Sequence, residues 1–129
     1  MDKKFELTNK SKEYLGVTLY RIRALKDFSD VKAGDLGGFV EKEDNLSQTG
    51  NCWIYDNAKV YNNAKVYNNA KVFNDAKVYD NAQIFTNAQI YNDAIAYGNA
   101  GIYGYAKVFE KAGVCGDASV SNNAMVYGN

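Results

Sequence analysis

The sequence predicts an all-β protein in which the chain winds into a parallel β-helix. Alanine recurs at every sixth position, twelve times, from Ala58 to Ala124. Two residues after each alanine stands Val or Ile, with Ala96 as the exception, and an aromatic residue usually follows. Such a spacing fits no α-helix, because positions six apart would circle every helix face. It suits short strands joined by tight corners instead.

Each six-residue repeat, or hexad, supplies one strand and one corner. Ala58 and Val60 point to one side of a strand and Lys59 to the other, because side chains alternate along a strand. Asn, Asp and Gly stand between the strands, where they tolerate the left-handed backbone that a tight corner needs. Three strands close a coil of 18 residues with alanine and valine inside. Residues 46–129 contain fourteen hexads, or about 4.5 coils, and Gln48 falls at the first valine-type position.

Residues 1–45 lack the repeat and are predicted to form an N-terminal β cap, since solenoids need cover at their ends. We interpret residues 46–129 as the β-helix, with both parts forming one folding unit. Alternating residues around Phe5 and Val17 favour a β-hairpin whose connection contains the polar residues 9–12. Trp53 occupies an outward position and is expected to pack beneath this cap.

Three glycines of the cap, Gly34, Gly37 and Gly38, do not fit a phosphate-binding fingerprint. There is no G-x-G-x-x-G pattern, and no helix start follows. We therefore interpret all three as turn residues.

The hexad Asn57-Ala58-Lys59-Val60-Tyr61-Asn62 and its successors resemble the hexapeptide repeats of left-handed parallel β-helix proteins. The resemblance covers about two thirds of the chain, and the left hand is implied by it alone. Residues 19–25 and 34–40 are similar to the opening of short bacterial and prophage members of this family, which are labelled acyltransferases on fold alone. The resemblance implies a left-handed parallel β-helix with an N-terminal hairpin cap.

Composition restricts the classes of function. Fifteen Lys and Arg balance fifteen Asp and Glu, so nothing attracts the chain generally to nucleic acid or to an anionic membrane. The sequence has no histidine, and the resembling enzymes use histidine as catalytic base or zinc ligand. We therefore predict no catalytic residue, no metal site and no cofactor. No apolar signal region follows the N-terminus, and no run is long enough to span a membrane, so we expect a cytoplasmic protein.

The two cysteines, Cys52 and Cys115, are not expected to pair, because 3.5 coils place them roughly 17 Å apart at the spacing of β-strands. Cys52 should be buried and Cys115 exposed.

The candidate partner-binding site is one column of aromatic residues that recur every 18 positions and should stack on an outer edge. Its members are Tyr55, Phe73, Tyr91, Phe109 and Tyr127. The columns of lysines, Lys59 with Lys77 and Lys71 with Lys107, are interpreted as solvated surface. Asp75 and Asp93 fall next to each other, with Lys111 as the expected compensating charge or a bound cation as the alternative.

These observations favour a non-catalytic binding protein that presents a rigid β-helical surface to a protein partner. A phage-borne accessory protein or an inhibitor of a host factor fits the prophage resemblance, in the cytoplasm of a bacterium or of a phage-infected host. The alternatives are a structural spacer or assembly protein, and a degenerate acyltransferase-like protein.

Self-association is also expected, through the edge of the last coil. The chain carries few charges there, and the candidate edge residues are Val120, Met125, Val126 and Tyr127. A two-fold dimer joined end to end is favoured over a trimer joined side by side.

Overall fold

The computed structural model describes residues 3–128 and consists of β-strands with one short 3₁₀ helix, Glu43–Asn45. Three longer strands come first, β1 (Phe5–Tyr14), β2 (Val17–Ala24) and β3 (Leu36–Val40). Thirteen two-residue strands follow: β4 (Trp53–Ile54), β5 (Lys59–Val60), β6 (Lys65–Val66), β7 (Lys71–Val72), β8 (Lys77–Val78), β9 (Gln83–Ile84), β10 (Gln89–Ile90), β11 (Ile95–Ala96), β12 (Gly101–Ile102), β13 (Lys107–Val108), β14 (Gly113–Val114), β15 (Ser119–Val120) and β16 (Met125–Val126). The all-β prediction is confirmed.

The short strands stack into a β-solenoid with three parallel sheets. Each strand pairs with its equivalent 18 residues further on, as Val60 does with Val78. The sheets have the strand orders β4-β7-β10-β13-β16, β6-β9-β12-β15 and β3-β5-β8-β11-β14, and the last continues through β2 to β1. Val40 lies opposite Val60 and Leu46 opposite Val66, so the end of the cap and Leu46 together complete the first coil. This gives about five turns, slightly more than the sequence indicates.

Alanine and the valine-type residues fill the interior of the solenoid. The alanine positions through Ala112 and the valine-type positions through Val114 are buried, which confirms the inward assignment. Ala118 and Ala124 lie in the final coil and are exposed, because no described coil covers them.

The corners use left-handed backbone at every sixth residue, as predicted. Asp56, Asn62, Asn68, Asn74 and their successors have φ near +58°, and glycine takes the same position at Gly98, Gly104 and Gly116. The side chains explain the preference for Asn and Asp over other polar residues. At several corners the side-chain oxygen accepts a hydrogen bond from the backbone N–H of the equivalent residue one coil later, as Asn62 does from Asp80 at 3.2 Å.

The first predicted hexad is out of register. Leu46, and not Gln48, occupies the valine-type position above Val66. Two extra residues then lie in the corner before Cys52, where the regular repeat begins. The physical reason is polarity: leucine fills the apolar interior, whereas the Gln48 amide oxygen accepts from the backbone N–H groups of Lys4 and Phe5 at 2.7 and 3.1 Å.

The hairpin forms, but its connection differs from the prediction. Residues 9–12 belong to β1, and the turn consists of Leu15 and Gly16, both with positive φ. A register irregularity between Leu7 and Ser11 accommodates the polar segment, which is tolerated because β1 is an edge strand with exposed side chains.

Two of the three cap glycines are not turn residues. Gly34 has φ +95° and does turn the chain, but Gly37 and Gly38 lie within β3. A Cβ atom on Gly38 would come 2.5 Å from the carbonyl oxygen of Ala58, and one on Gly37 would come 2.6 Å from that of Ile54. Close packing of β3 on the next coil therefore requires glycine at both positions.

Trp53 packs beneath the cap as predicted and is 1% exposed. Its ring contacts Phe5 and Phe28 edge to face, with centroid distances of 6.3 and 5.3 Å. Among residues 3–128, no helix has the length and apolar character needed to cross a bilayer.

Candidate binding surfaces of the solenoid

The five aromatic residues predicted as a partner-binding site form one continuous column, which we call the aromatic ladder. From Phe73 to Tyr127 neighbouring rings stack nearly parallel, with centroid distances of 4.7, 5.2 and 5.2 Å. Tyr55 meets Phe73 edge to face at 6.2 Å instead. Its hydroxyl donates to Asp30 at 2.8 Å, so the cap fixes the orientation of its ring.

The ladder is partly exposed along its length. Tyr55, Phe73, Tyr91 and Phe109 are half-buried, because each ring covers the face of the next, while Tyr127 is 62% exposed. Burial and the Asp30 carboxylate raise the pKa of Tyr55, so its hydroxyl remains a donor. Such a stripe offers apolar ring edges to a binding partner but no nucleophile paired with a base.

The other two corners carry ladders with the same stacking geometry. Tyr61, Tyr79 and Tyr97 stack at 5.1 and 5.2 Å, and Tyr67, Phe85 and Tyr103 stack at 4.9 and 5.0 Å. The first of these is covered at its top, where the hairpin residue Tyr14 contacts Tyr61. Stacking alone therefore does not distinguish the candidate column from its neighbours.

A shallow groove of about 720 Å³ lies on the β4-β7-β10-β13-β16 face. Lys71, Gln89 and Lys107 form its floor, and Asn69 and Asn87 stand at the adjoining corner. Ser29 of the cap closes one end. The sequence pattern indicated only a solvated lysine column here, because nothing in the repeat shows that a cap residue reaches this face.

The carboxylates of Asp75 and Asp93 line a second open groove together with Glu110 and Lys111. Lys111 thus lies where the sequence placed a compensating charge. In the described part of the chain, no three metal-binding side chains converge in a way that could hold an ion.

The predicted oligomer edge lies in the last described coil. Val120 and Val126 pack against the core and are half-buried, while Met125 and Tyr127 are 57% and 62% exposed. Self-association through these residues stays a prediction.

The structure also places a buried lysine that the sequence did not reveal. The Lys4 ammonium donates to the carbonyl oxygens of Cys52 and Gly50, at 2.7 and 3.3 Å, and lies 3.3 Å from the Cys52 sulfur. Burial lowers the pKa of Lys4 and raises that of Cys52. Lys4 therefore closes the cap end of the solenoid, and no periodicity in the sequence signals it.

Both cysteines are free, with Cys52 buried and Cys115 exposed, as predicted.

Comparison with known proteins yields one local match. A stretch of 40 residues is 55% identical to the uncharacterized acetyltransferase YdcK of Escherichia coli (strain K12). The match covers 31% of this chain and 12% of YdcK, so the chain spans only a small part of that relative's length. No family model matches the chain. The match, the β-solenoid and its six-residue period together fit the hexapeptide-repeat β-helix family.

Proposed function

We propose that the chain is a non-catalytic binding protein that presents its aromatic ladder to a protein partner. The half-exposed column from Tyr55 to Tyr127 carries this proposal, because it extends over five rings, whereas each of the other two columns stacks three. Tyr and Phe are enriched in protein interfaces, and their rings contribute large contact areas. Rings already fixed by stacking lose little conformational freedom when a partner binds, which favours affinity.

The residue chemistry supports a binding role over catalysis. Without histidine, Cys115 lacks the usual base that would activate it as a nucleophile. The exposed surfaces described above offer amides, lysines, carboxylates and aromatic rings, which suit recognition. The resemblance of the cap to prophage proteins supports a cytoplasmic accessory protein or an inhibitor of a host factor.

Affinity capture from host lysate, with identification by mass spectrometry, tests this proposal. The affinity of the captured partner is then compared for Phe73→Ser in the aromatic ladder and Phe85→Ser in the Tyr67 column. The two phenylalanines are matched, since each is half-buried and lies between two tyrosines. We expect at least tenfold weaker binding for Phe73→Ser and less than twofold change for Phe85→Ser. Equal effects, or no partner, contradict the proposal.

A degenerate acyltransferase-like function is the second candidate, and the description of YdcK as an acetyltransferase favours it. Calorimetry with acetyl-coenzyme A tests it, since saturable binding would support this candidate over the binding protein. A structural spacer is the remaining alternative, and a chain that captures no partner and binds no acetyl-coenzyme A would favour it.

A further inference from the structure

Four cationic side chains meet where the hairpin covers the outer face of the solenoid. We call Lys12, Arg21, Lys59 and Lys77 the cation cluster. Three of them surround the ring of Phe39: the Lys12 ammonium at 4.5 Å from the centroid, the Arg21 guanidinium carbon at 4.2 Å and the Lys59 ammonium at 5.9 Å.

A second ring links the cluster to the next coil. The ammonium groups of Lys59 and Lys77 lie 5.2 and 6.0 Å from the centroid of Tyr14 in the hairpin. Lys59 and Lys77 are direct partners on β5 and β8, and both occupy outward positions of the sheet. The hairpin leaves Lys59 only 8% exposed, whereas Lys77 is half-buried and Lys12 exposed.

This positive charge is poorly compensated within the chain. The salt bridges among residues 3–128, Lys3–Glu43 and Arg23–Glu6, include no member of the cation cluster. Burial is the largest cause that lowers the pKa of Lys59, and the neighbouring charges of Lys12 and Lys77 lower it further. The Asp75 carboxylate raises this pKa, but more weakly. Aromatic faces attract cations but carry no net charge, so the mutual repulsion of the ammonium groups remains.

The arrangement of donors indicates which kind of anion the cation cluster would suit. Arg21 already donates to the carbonyl oxygens of Gly37 and Asp56 and to the side chain of Asn57. Three of the five guanidinium N–H groups are thereby engaged, so Arg21 offers a phosphate group only part of its planar fork. The ammonium groups of Lys12 and Lys77 remain, each beside an aromatic ring, whereas that of Lys59 donates to the carbonyl oxygen of Asn57 at 3.2 Å. The chain has no net positive charge that would favour the long polyanion of a nucleic acid.

We propose that Lys12 and Lys77, with Lys59 behind them, bind the carboxylates of an acidic segment of a protein partner. This inference rests on the proposed binding function and names a chemical class for part of the partner. The carboxylates relieve the repulsion among the lysines, and the neighbouring rings provide apolar contact for the peptide.

Fluorescence anisotropy with fluorescein-labelled octaglutamate tests the proposal at low and physiological salt. Lys12→Gln/Lys77→Gln removes two charges from the cluster, and Lys71→Gln/Lys107→Gln removes two from the groove as a matched control. We expect at least fivefold weaker binding for the first pair, less than twofold change for the control and weaker wild-type binding as salt rises. Lys12→Arg/Lys77→Arg should retain binding, and circular dichroism verifies folding of every variant.

Failure to bind octaglutamate, or equal weakening in both double variants, overturns the proposal. Stronger competition by inorganic phosphate or by duplex DNA than by unlabelled octaglutamate also overturns it, because the site would then be a phosphate or nucleic-acid site. If capture of a partner still depends on Phe73, the proposed binding function stands even when the octaglutamate experiment fails. The two proposals can therefore fail separately.

Discussion

The side-chain oxygen of Asn74 accepts a hydrogen bond from the backbone N–H of Asn92, its equivalent one coil later, at 3.0 Å. Both residues have φ near +58°. Asp56 makes the same bond to Asn74, and Asn92 makes it to Glu110. One side chain thus tolerates the left-handed corner and satisfies a backbone donor that strand pairing leaves free.

Replacement of Asn74 should therefore lower the free energy of unfolding through two contributions that can be measured separately, the lost hydrogen bond and the backbone strain. Asn74→Gly loses the hydrogen bond but keeps the backbone conformation, and should cost about 1 kcal/mol. Asn74→Ala also strains the left-handed backbone, and should cost about 1–2 kcal/mol more. Urea unfolding measures both, and Asn87→Ala is the control, since Asn87 lacks positive φ. Equal losses for the two Asn74 variants would contradict the strain argument.

Ala76→Leu should overpack the interior. Ala76 is fully buried in the narrow core, so the larger side chain should lower the free energy of unfolding by about 1–3 kcal/mol or more. Ala118 has the same place in its hexad but is exposed in the final coil, so Ala118→Leu is the matched control. Thermal unfolding compares the two. An unchanged melting temperature for Ala76→Leu would show that this column does not face the core.

Gly38→Ala should be strongly destabilising, because its Cβ would come 2.5 Å from a backbone carbonyl oxygen that cannot move aside. We expect a loss of about 1–3 kcal/mol, as for other overpacked sites. Gly101 also lies in a strand, but its Cβ would meet no atom within 4 Å. Gly101→Ala should therefore be neutral or slightly stabilising. Chemical denaturation of the two variants checks this, and similar losses would argue against the close approach of β3.

The two thiols should react at different rates with a chromogenic disulfide reagent in the native state. Cys115 is exposed and should react quickly. Cys52 is buried, so the reagent has little access to its sulfur. Burial also raises the pKa of Cys52, so the fraction present as thiolate at pH 8 is low. Unfolding in guanidinium should remove the difference. A fast reaction of Cys52 in the folded protein would mean that the cap opens readily.

The repeat made most of the solenoid predictable, because each hexad places the same residue types in the same environment. From spacing alone, Ala76 and Val78 could be assigned to the interior of the solenoid and Asn74 to a corner. Gln48 could not, since its role depends on contacts with Lys4 and Phe5, more than 40 residues away, and Leu46 pairs with Val66 at the position that the period gave to Gln48. The same applies to Lys59, which the hairpin covers through contacts that no period describes.

The pairing of residues 18 apart also restricts how such a chain can change its length. Removal of a whole coil, such as residues 83–100, would leave every downstream column aligned with its former neighbours. Removal of one hexad would move each downstream residue to the next face, so that the lower rungs of the aromatic ladder would come to lie under a different corner. Insertions and deletions that add or remove strands should therefore occur in steps of complete coils, which makes the solenoid a modular scaffold whose length can vary while its recognition face is preserved.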